Sequence, residues 1–264
     1  MALAYTHIKL LLEYKMSGYF NFSSPSLMEF GEQNWQGQVS HTYLEEIPKI
    51  LGMPEEMVVW VKNEMARIQS THPSPGHASF DLAKLFYKII FDYKTYTAID
   101  LHGTSLAIKH DLNHQLPELG KYDVVTNIGT GEHVFNQYMF FKNIHDVTKE
   151  NGVMIHVMPN QGCYDHGFFN YHPTFIFDIA HANQYELLAM YYSDPSQRPP
   201  ALSRISSRED YIRLAVDKKL SNYSGLHALL RKPAQNLEFK IPRQGYYDSQ
   251  LSPELQLAWG RLER

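Results

Sequence analysis

Hydrophobic positions along this chain alternate between two periods. The runs "SLMEF" (26–30), "YTAIDL" (96–101), "LAIKHDL" (106–112), "YDVVTNIG" (122–129) and "GVMIHVMP" (152–159) are short and largely apolar, the pattern of strands buried in a sheet. "YELLAMYYS" (185–193) and "YSGLHALLRKP" (223–233) add a sixth and a seventh. Between them, "FNQYMFFKNIHDVTKE" (135–150) carries apolar residues at helical spacing and stops at Asn151-Gly152, and "TFIFDIAHAN" (174–183) reads as a helix begun after Pro173. Strands separated by helices predict a parallel sheet covered on both faces, a three-layer α/β sandwich. A long segment, 194–222, joins the last two strands and reads as irregular, which suits an antiparallel last strand added at the sheet edge.

The interval between the first and second strands is oversized. "TYLEEIPKILG", "PEEMVVWVKNEMARIQ" and "SFDLAKLFYKIIFDY", within 41–92, are three amphipathic helical patterns, whereas a plain crossover needs only about a dozen residues. The surplus reads as a helical insertion over a pocket, within a single domain spanning 1–264. The flanks 1–22 and 234–264 read as helical or irregular, and there is no internal repeat.

Composition narrows the classes of partner. With 44% hydrophobic and 13% aromatic residues the chain has ample material for a core. A net charge of −4, without a long block of one sign, excludes the basic stripe that gripping a nucleic-acid backbone requires. The lone Cys163 rules out an internal disulfide and a cysteine-rich zinc site, and points to a reducing, cytoplasmic location. The opening "MALAYTHIKLLLEYK" is a poor signal peptide, its apolar stretch being broken by His7 and Lys9, and no run approaches the 18 or more apolar residues of a membrane span.

Two of the apolar runs are each followed or ended by an acid, Asp100 and Asp111. In an open α/β sheet, ligands sit beyond the carboxyl ends of the strands, and a carboxylate accepts several hydrogen bonds at once, which suits a diol or an exocyclic amine. Seven strands with acids in these places resemble the class I S-adenosylmethionine-dependent methyltransferases, whose fold is Rossmann-like; the resemblance covers roughly 24–233. It implies S-adenosyl-L-methionine as cofactor. "MEFGEQ" (28–33) matches the acidic-x-glycine segment that ends the family's first strand and assigns Glu29, Gly31 and Gln33 to the cofactor. Asp100, with Leu101, maps to the acid that binds the ribose hydroxyls; Asp111, with Leu112, maps to the one that meets the adenine amino group. "YDVVTNIGTGEHV" (122–134) is the strongest part of the match and adds Asn127 and Gly129. The glycine-rich loop departs from the family: only Gly31 precedes Gly37, where several glycines usually let backbone approach the ligand.

Methyl transfer from a sulfonium is an in-line displacement in which the protein mainly orients two reactants and excludes water. A base is needed only where the accepting atom must lose a proton, and histidine serves near neutral pH. His133, beside Glu132 at a helix start, and His166, in the aromatic loop "CYDHGFFNYHPTF" (163–175), are the candidate catalytic groups. Thr130, Glu132, Asp165 and Tyr171 are candidate substrate contacts. Fourteen histidines invite a metal reading, but "HDLNH" (110–114) sets His110 and His114 across a strand end and a turn. No metal is expected, and the pair Glu132 and His133 keeps that option open. The expected activity is methylation of a small molecule or a sugar or glycan, at oxygen. The alternative is a cofactor-binding or scaffolding protein of the same fold. A nicotinamide oxidoreductase would need G-x-G-x-x-G after the first strand, and "FGEQNW" (30–35) has none. "NIGTG" (127–131) likewise lacks the segment of enzymes that methylate flipped bases. A free edge at 223–233 would allow pairing with a second copy.

Overall fold

The computed structural model describes residues 2–36, 39–72, 75–248 and 251–261; Gly37 lies outside them. In chain order the first half contains β1 (Ala2–Leu3), α1 (Tyr5–Met16), β2 (Ser26–Phe30), β3 (Asn34–Trp35), α2 (Tyr43–Ile50), α3 (Glu55–Thr71), α4 (Pro75–Phe91), β4 (Thr95–Ile99) and β5 (Tyr122–Ile128). A 3₁₀ turn (Gly131–His133) leads to α5 (Gln137–Val147), β6 (Thr148–Gln161), α6 (Pro173–Ala182), β7 (Glu186–Asp194), β8 (Ala201–Arg204), α7 (Arg208–Val216), β9 (Ser224–Arg231) and α8 (Pro253–Arg261).

Seven of the strands form one mixed sheet in the order β4-β2-β5-β6-β9-β7-β8, and β1 pairs separately with β3. β4, β2, β5 and β6 are parallel to one another, whereas β9 is antiparallel to both β6 and β7, and β8 is antiparallel to β7. One face carries α1 to α4: Ile8 and Leu11 of α1 and Leu82, Phe86 and Ile90 of α4 share a core with Leu27, Val124 and Val153 of the sheet. The other face carries α5 and α6, with Phe140, Ile144, Ile176 and Ile179 over Met28, Val125 and Met154. Each fully buried aliphatic or aromatic side chain of this kind contributes about 1.5–3 kcal/mol, so each layer is held by many such increments.

The three helical patterns of 41–92 form as α2, α3 and α4. Three other expectations are corrected. The run 106–112 forms no strand; only Ile108 bridges to Ile99. Asp111 ends it, because its carboxylate accepts from the backbone and side-chain N–H groups of Asn113, a local turn that competes with ladder pairing. The run 223–233 is not an edge strand, since β9 lies between β6 and β7. Leu226, Ala228, Leu229 and Leu230 are all buried, the composition of a strand covered on both faces. The segment 194–222 is not irregular throughout: it holds β8, which is the sheet edge, and α7. Ser207 and Asp210 cap α7 reciprocally, the serine oxygen taking the Asp210 N–H and the aspartate taking the Ser207 N–H.

The flanks are also placed. α1 buries Ile8, Leu10, Leu11, Leu12 and Tyr14. The tail is tied down where His145 meets the Leu237 carbonyl and the Lys240 N–H reaches Asn183 Oδ1. Lys232, just after β9, is buried; its ammonium donates to the carbonyls of His145 and Thr148 at the end of α5, at 2.7 and 3.0 Å, and burial pulls its pKa down to about 8. Among the described residues, no helix is long and apolar enough to cross a membrane.

Candidate active site

The carboxyl ends of the parallel strands carry two quite different groups of polar side chains. At the β4–β2 end the chain turns sharply at Gly31, whose φ of 83° is in the left-handed region and whose N–H pairs with the Ile99 carbonyl. Gln33, fully buried, donates to the carbonyls of Gly31 (3.1 Å) and Ile128 (2.8 Å) and so staples this turn to the end of β5. Glu29 lies buried beneath it, accepting from the Gln33 N–H and the Tyr96 hydroxyl, and burial pushes its carboxyl up to about 7. Asp100, half-buried, accepts from the backbone N–H of Glu32 at 3.0 Å and of His102 at 2.7 Å. Glu32, which sequence reasoning passed over, is buried and engaged by the Thr104 N–H and hydroxyl and by Lys84 Nζ at 2.9 Å. Leu101 is exposed, Leu112 is in the core, and Asp111 is half-exposed beside His114 at 3.4 Å. Its hydrogen bonds from Asn113 hold the Asp111 carboxyl below the usual range.

At the β5–β6 end a cavity of about 1050 Å³ opens over Ile128, Gly129 and Val157–Pro159. Gly129, with φ of 70°, turns the chain out of β5, and its N–H holds the Val157 carbonyl. Asn127 then accepts the Gly131 N–H at 3.1 Å while its amide meets His156, and Thr130 donates to the Phe30 carbonyl at 2.6 Å. These bonds set the 3₁₀ turn that delivers Glu132 and His133 to the cavity wall. The loop 163–172 closes against the same turn. Phe168 N–H donates to the Glu132 carbonyl at 2.7 Å, and Gly167 sits so near that a Cβ there would lie 2.9 Å from that oxygen. His166 is thereby brought 3.7 Å from Glu132 Oε1, with His133 at 4.0 Å and the two imidazoles edge to face at 4.8 Å.

Glu132 is only 2% exposed, and its Oε2 has no hydrogen-bond partner among the described residues. Burial pushes its carboxyl up to about 7 and pulls the His133 imidazole down, which leaves the histidine a neutral acceptor at neutral pH. Tyr171 is buried away from the cavity lining, its hydroxyl donating to Gln137 at 2.7 Å, and Asp165 is exposed on the loop. Of the predicted residues, then, Gly129, Glu132, His133 and His166 share the cavity, whereas Glu29, Gly31, Gln33, Asp100 and Asp111 gather at the neighbouring strand ends and do not line it.

The cavity also takes residues that sequence reasoning missed: His7 of α1, Ser193 of β7 and His227 of β9. His227 Nε2 meets Ser193 Oγ at 2.9 Å, and the His7 and His227 rings lie 5.6 Å apart, both held in the neutral form by burial. A histidine inside an otherwise apolar strand, "GLHALL" (225–230), was the one signal that could have found this wall.

No protein-family model matches the chain, and no curated protein does. Solved structures of similar fold include the O-methyltransferase of the trans-AT PKS multienzyme from Brevibacillus brevis in complex with S-adenosyl-L-homocysteine; identity is 12%, over 84% of this chain and 72% of that one, with a TM-score of 0.39. Another is the N-methyltransferase NodS from Bradyrhizobium japonicum with the same ligand, at 11% identity over 86% of both chains and a TM-score of 0.41.

Proposed function

We propose that this protein is an S-adenosylmethionine-dependent methyltransferase acting on a small hydroxylated molecule, a sugar or glycan being the class that fits the absence of any basic surface stripe from the sequence. The observation that carries the reading is the position of the cavity. It lies beyond the carboxyl ends of adjacent parallel strands, where an open α/β sheet binds its ligands. At about 1050 Å³ it sits at the upper end of the roughly 300–1,000 Å³ of small-molecule sites, room for a cofactor and a substrate together. The cavity wall includes neither Asp100 nor Asp111, so their holding the nucleoside requires the cofactor to extend past that wall toward the end of β4. Two acceptor positions of Asp100 are taken by backbone N–H groups, and a carboxylate has about four. The bound cofactor supplies an electrophilic methyl group.

The chain's own residues then orient the acceptor and manage its proton. His133, neutral at physiological pH, accepts a hydroxyl proton. Val39, Ser40 and Tyr43, where the helical insertion begins, border the cavity and support a role for that insertion in substrate choice.

Calorimetry with S-adenosyl-L-homocysteine tests the cofactor assignment. Micromolar binding is expected, weakened at least tenfold in Asp100→Ala and less in Asp100→Asn, which keeps one acceptor oxygen. Absence of binding by the unaltered protein would overturn the reading.

A further inference from the structure

We propose that Glu132, His133 and His166 form a binding site for one divalent transition-metal ion at the cavity wall. The three side chains offer ligand atoms that all lie within 4.8 Å of one another, the group of this kind that the described residues contain. One carboxylate and two imidazoles are the donor set that borderline first-row divalent ions prefer, and three protein ligands leave further positions for exogenous oxygen. Bonds of about 2.0–2.2 Å to such an ion put neighbouring ligand atoms about 3–3.5 Å apart. The present separations, 3.7 and 4.0 Å from Glu132 and at most 4.8 Å across the group, therefore require side-chain shifts of about an ångström.

Two further observations point to a ligand rather than to packing. Glu132 is almost wholly buried, yet its Oε2 has no hydrogen-bond partner among the described residues, a cost that a buried carboxylate normally avoids. Its neighbours also hold it in place: Gly131 and Gly167 are so tightly packed that added Cβ atoms would meet Phe140 at 2.8 Å and the Glu132 carbonyl at 2.9 Å. The third ligand arrives from a loop more than thirty residues away that is fastened to the same turn by the Phe168 N–H. His133 and His166 are side-chain exposed to 41% and 54%, so an ion from solvent reaches them without unfolding.

This inference rests on the methyltransferase reading for its purpose and deepens it. Because all three side chains line the cavity, an ion held by them would have its remaining positions available to oxygen donors of the substrate, which would select vicinal or chelating hydroxyls. With the ion bound, His133 would be a ligand, so the base role given to it above belongs to the metal-free protein, and a hydroxyl held by the ion would release its proton to solvent.

The test uses the full chain, freed of metal by chelation and titrated with Co²⁺. One Co²⁺ per chain is expected, with d–d absorption bands that report its coordination. Affinity should fall at least tenfold in His166→Ala and in Glu132→Gln, and stay unchanged in His181→Ala, an exposed histidine elsewhere. Circular dichroism checks folding; should Glu132→Gln not fold, His166→Ala at its exposed position decides alone. Lack of d–d bands, or equal affinity in His166→Ala, would overturn the site. Calorimetry with S-adenosyl-L-homocysteine on the metal-free protein keeps the two readings apart. Homocysteine derivative bound with no Co²⁺ bound sinks the ion site only; the reverse sinks the cofactor reading only.

Discussion

The β4–β2 end and the β5–β6 end of the sheet lie side by side and both collect acids, but they treat them in opposite ways. At the first, each carboxylate is given partners. Asp100 takes two backbone N–H groups, Glu32 takes Thr104 and Lys84, and Glu29 takes Gln33 and Tyr96 on one oxygen while its Oε1 has no hydrogen-bond partner among the described residues. At the second, Glu132 is as deeply buried, yet one of its oxygens has no hydrogen-bond partner among the described residues and two imidazoles stand 3.7 and 4.0 Å off the other. What sets the second end apart is the convergence of two imidazoles on a buried acid at a cavity wall, an arrangement expected where something else binds. Glu29 and Glu32 at the first end should therefore answer to substitution in stability, Asp100 there in cofactor binding, and the second end in turnover.

The largest expected effect is at Glu32. Glu32→Ala removes a buried acceptor from Thr104 and strands Lys84, which should destabilise the fold by about 3 kcal/mol. That figure is at the low end for a broken buried pair because Asp81 stays 3.5 Å from Lys84. A urea midpoint unchanged from the native protein would break the contrast at its structural side.

A pH series on Glu29 follows. Burial lifts its folded pKa to about 7 from an ordinary 4.5, so the folded protein holds this proton more tightly than the unfolded chain does. The associated stability is fully present below pH 4.5 and drains away as pH rises through 7, in all on the order of 3 kcal/mol. Glu29→Gln cannot titrate, so its unfolding free energy should be flatter between pH 5 and pH 8 than that of the native protein. Parallel profiles would place the proton elsewhere.

The smallest effect on stability, and the one that sharpens the comparison most, is at His166. With its side chain 54% exposed, His166→Ala should change the unfolding free energy by less than about 0.5 kcal/mol while methyl-transfer turnover is lost. A large loss of stability, or turnover that persists, would make the second end structural like the first.

How much of this was legible in the chain follows from how local each signal is. The runs 26–30, 96–101, 122–129 and 152–159 all contain strands close to where their apolar patterns put them, because burial on both faces writes itself directly into composition. Residues 106–112 failed for a reason also written locally, the Asp111–Asn113 turn. α7 was missed, although "SRED" (207–210) carries the Ser-x-x-Asp spacing that caps it in the structure. The inner place of β9 was readable from four consecutive or near-consecutive buried apolar positions, but distance from the other strands along the chain concealed which of them it joins.

By itself the sequence determined the layered α/β architecture, the acid Asp100 after β4 and the Glu132–His133 pair, since periodicity, turns and neighbours along the chain are short-range properties. Only the tertiary structure decided that Asp100 and Asp111 stand outside the cavity wall, that His166 comes to Glu132, and that His7 meets His227 from opposite ends of the chain. Such encounters depend on loop closure and sheet order, which bring together residues whose separation in sequence carries no trace of their separation in space.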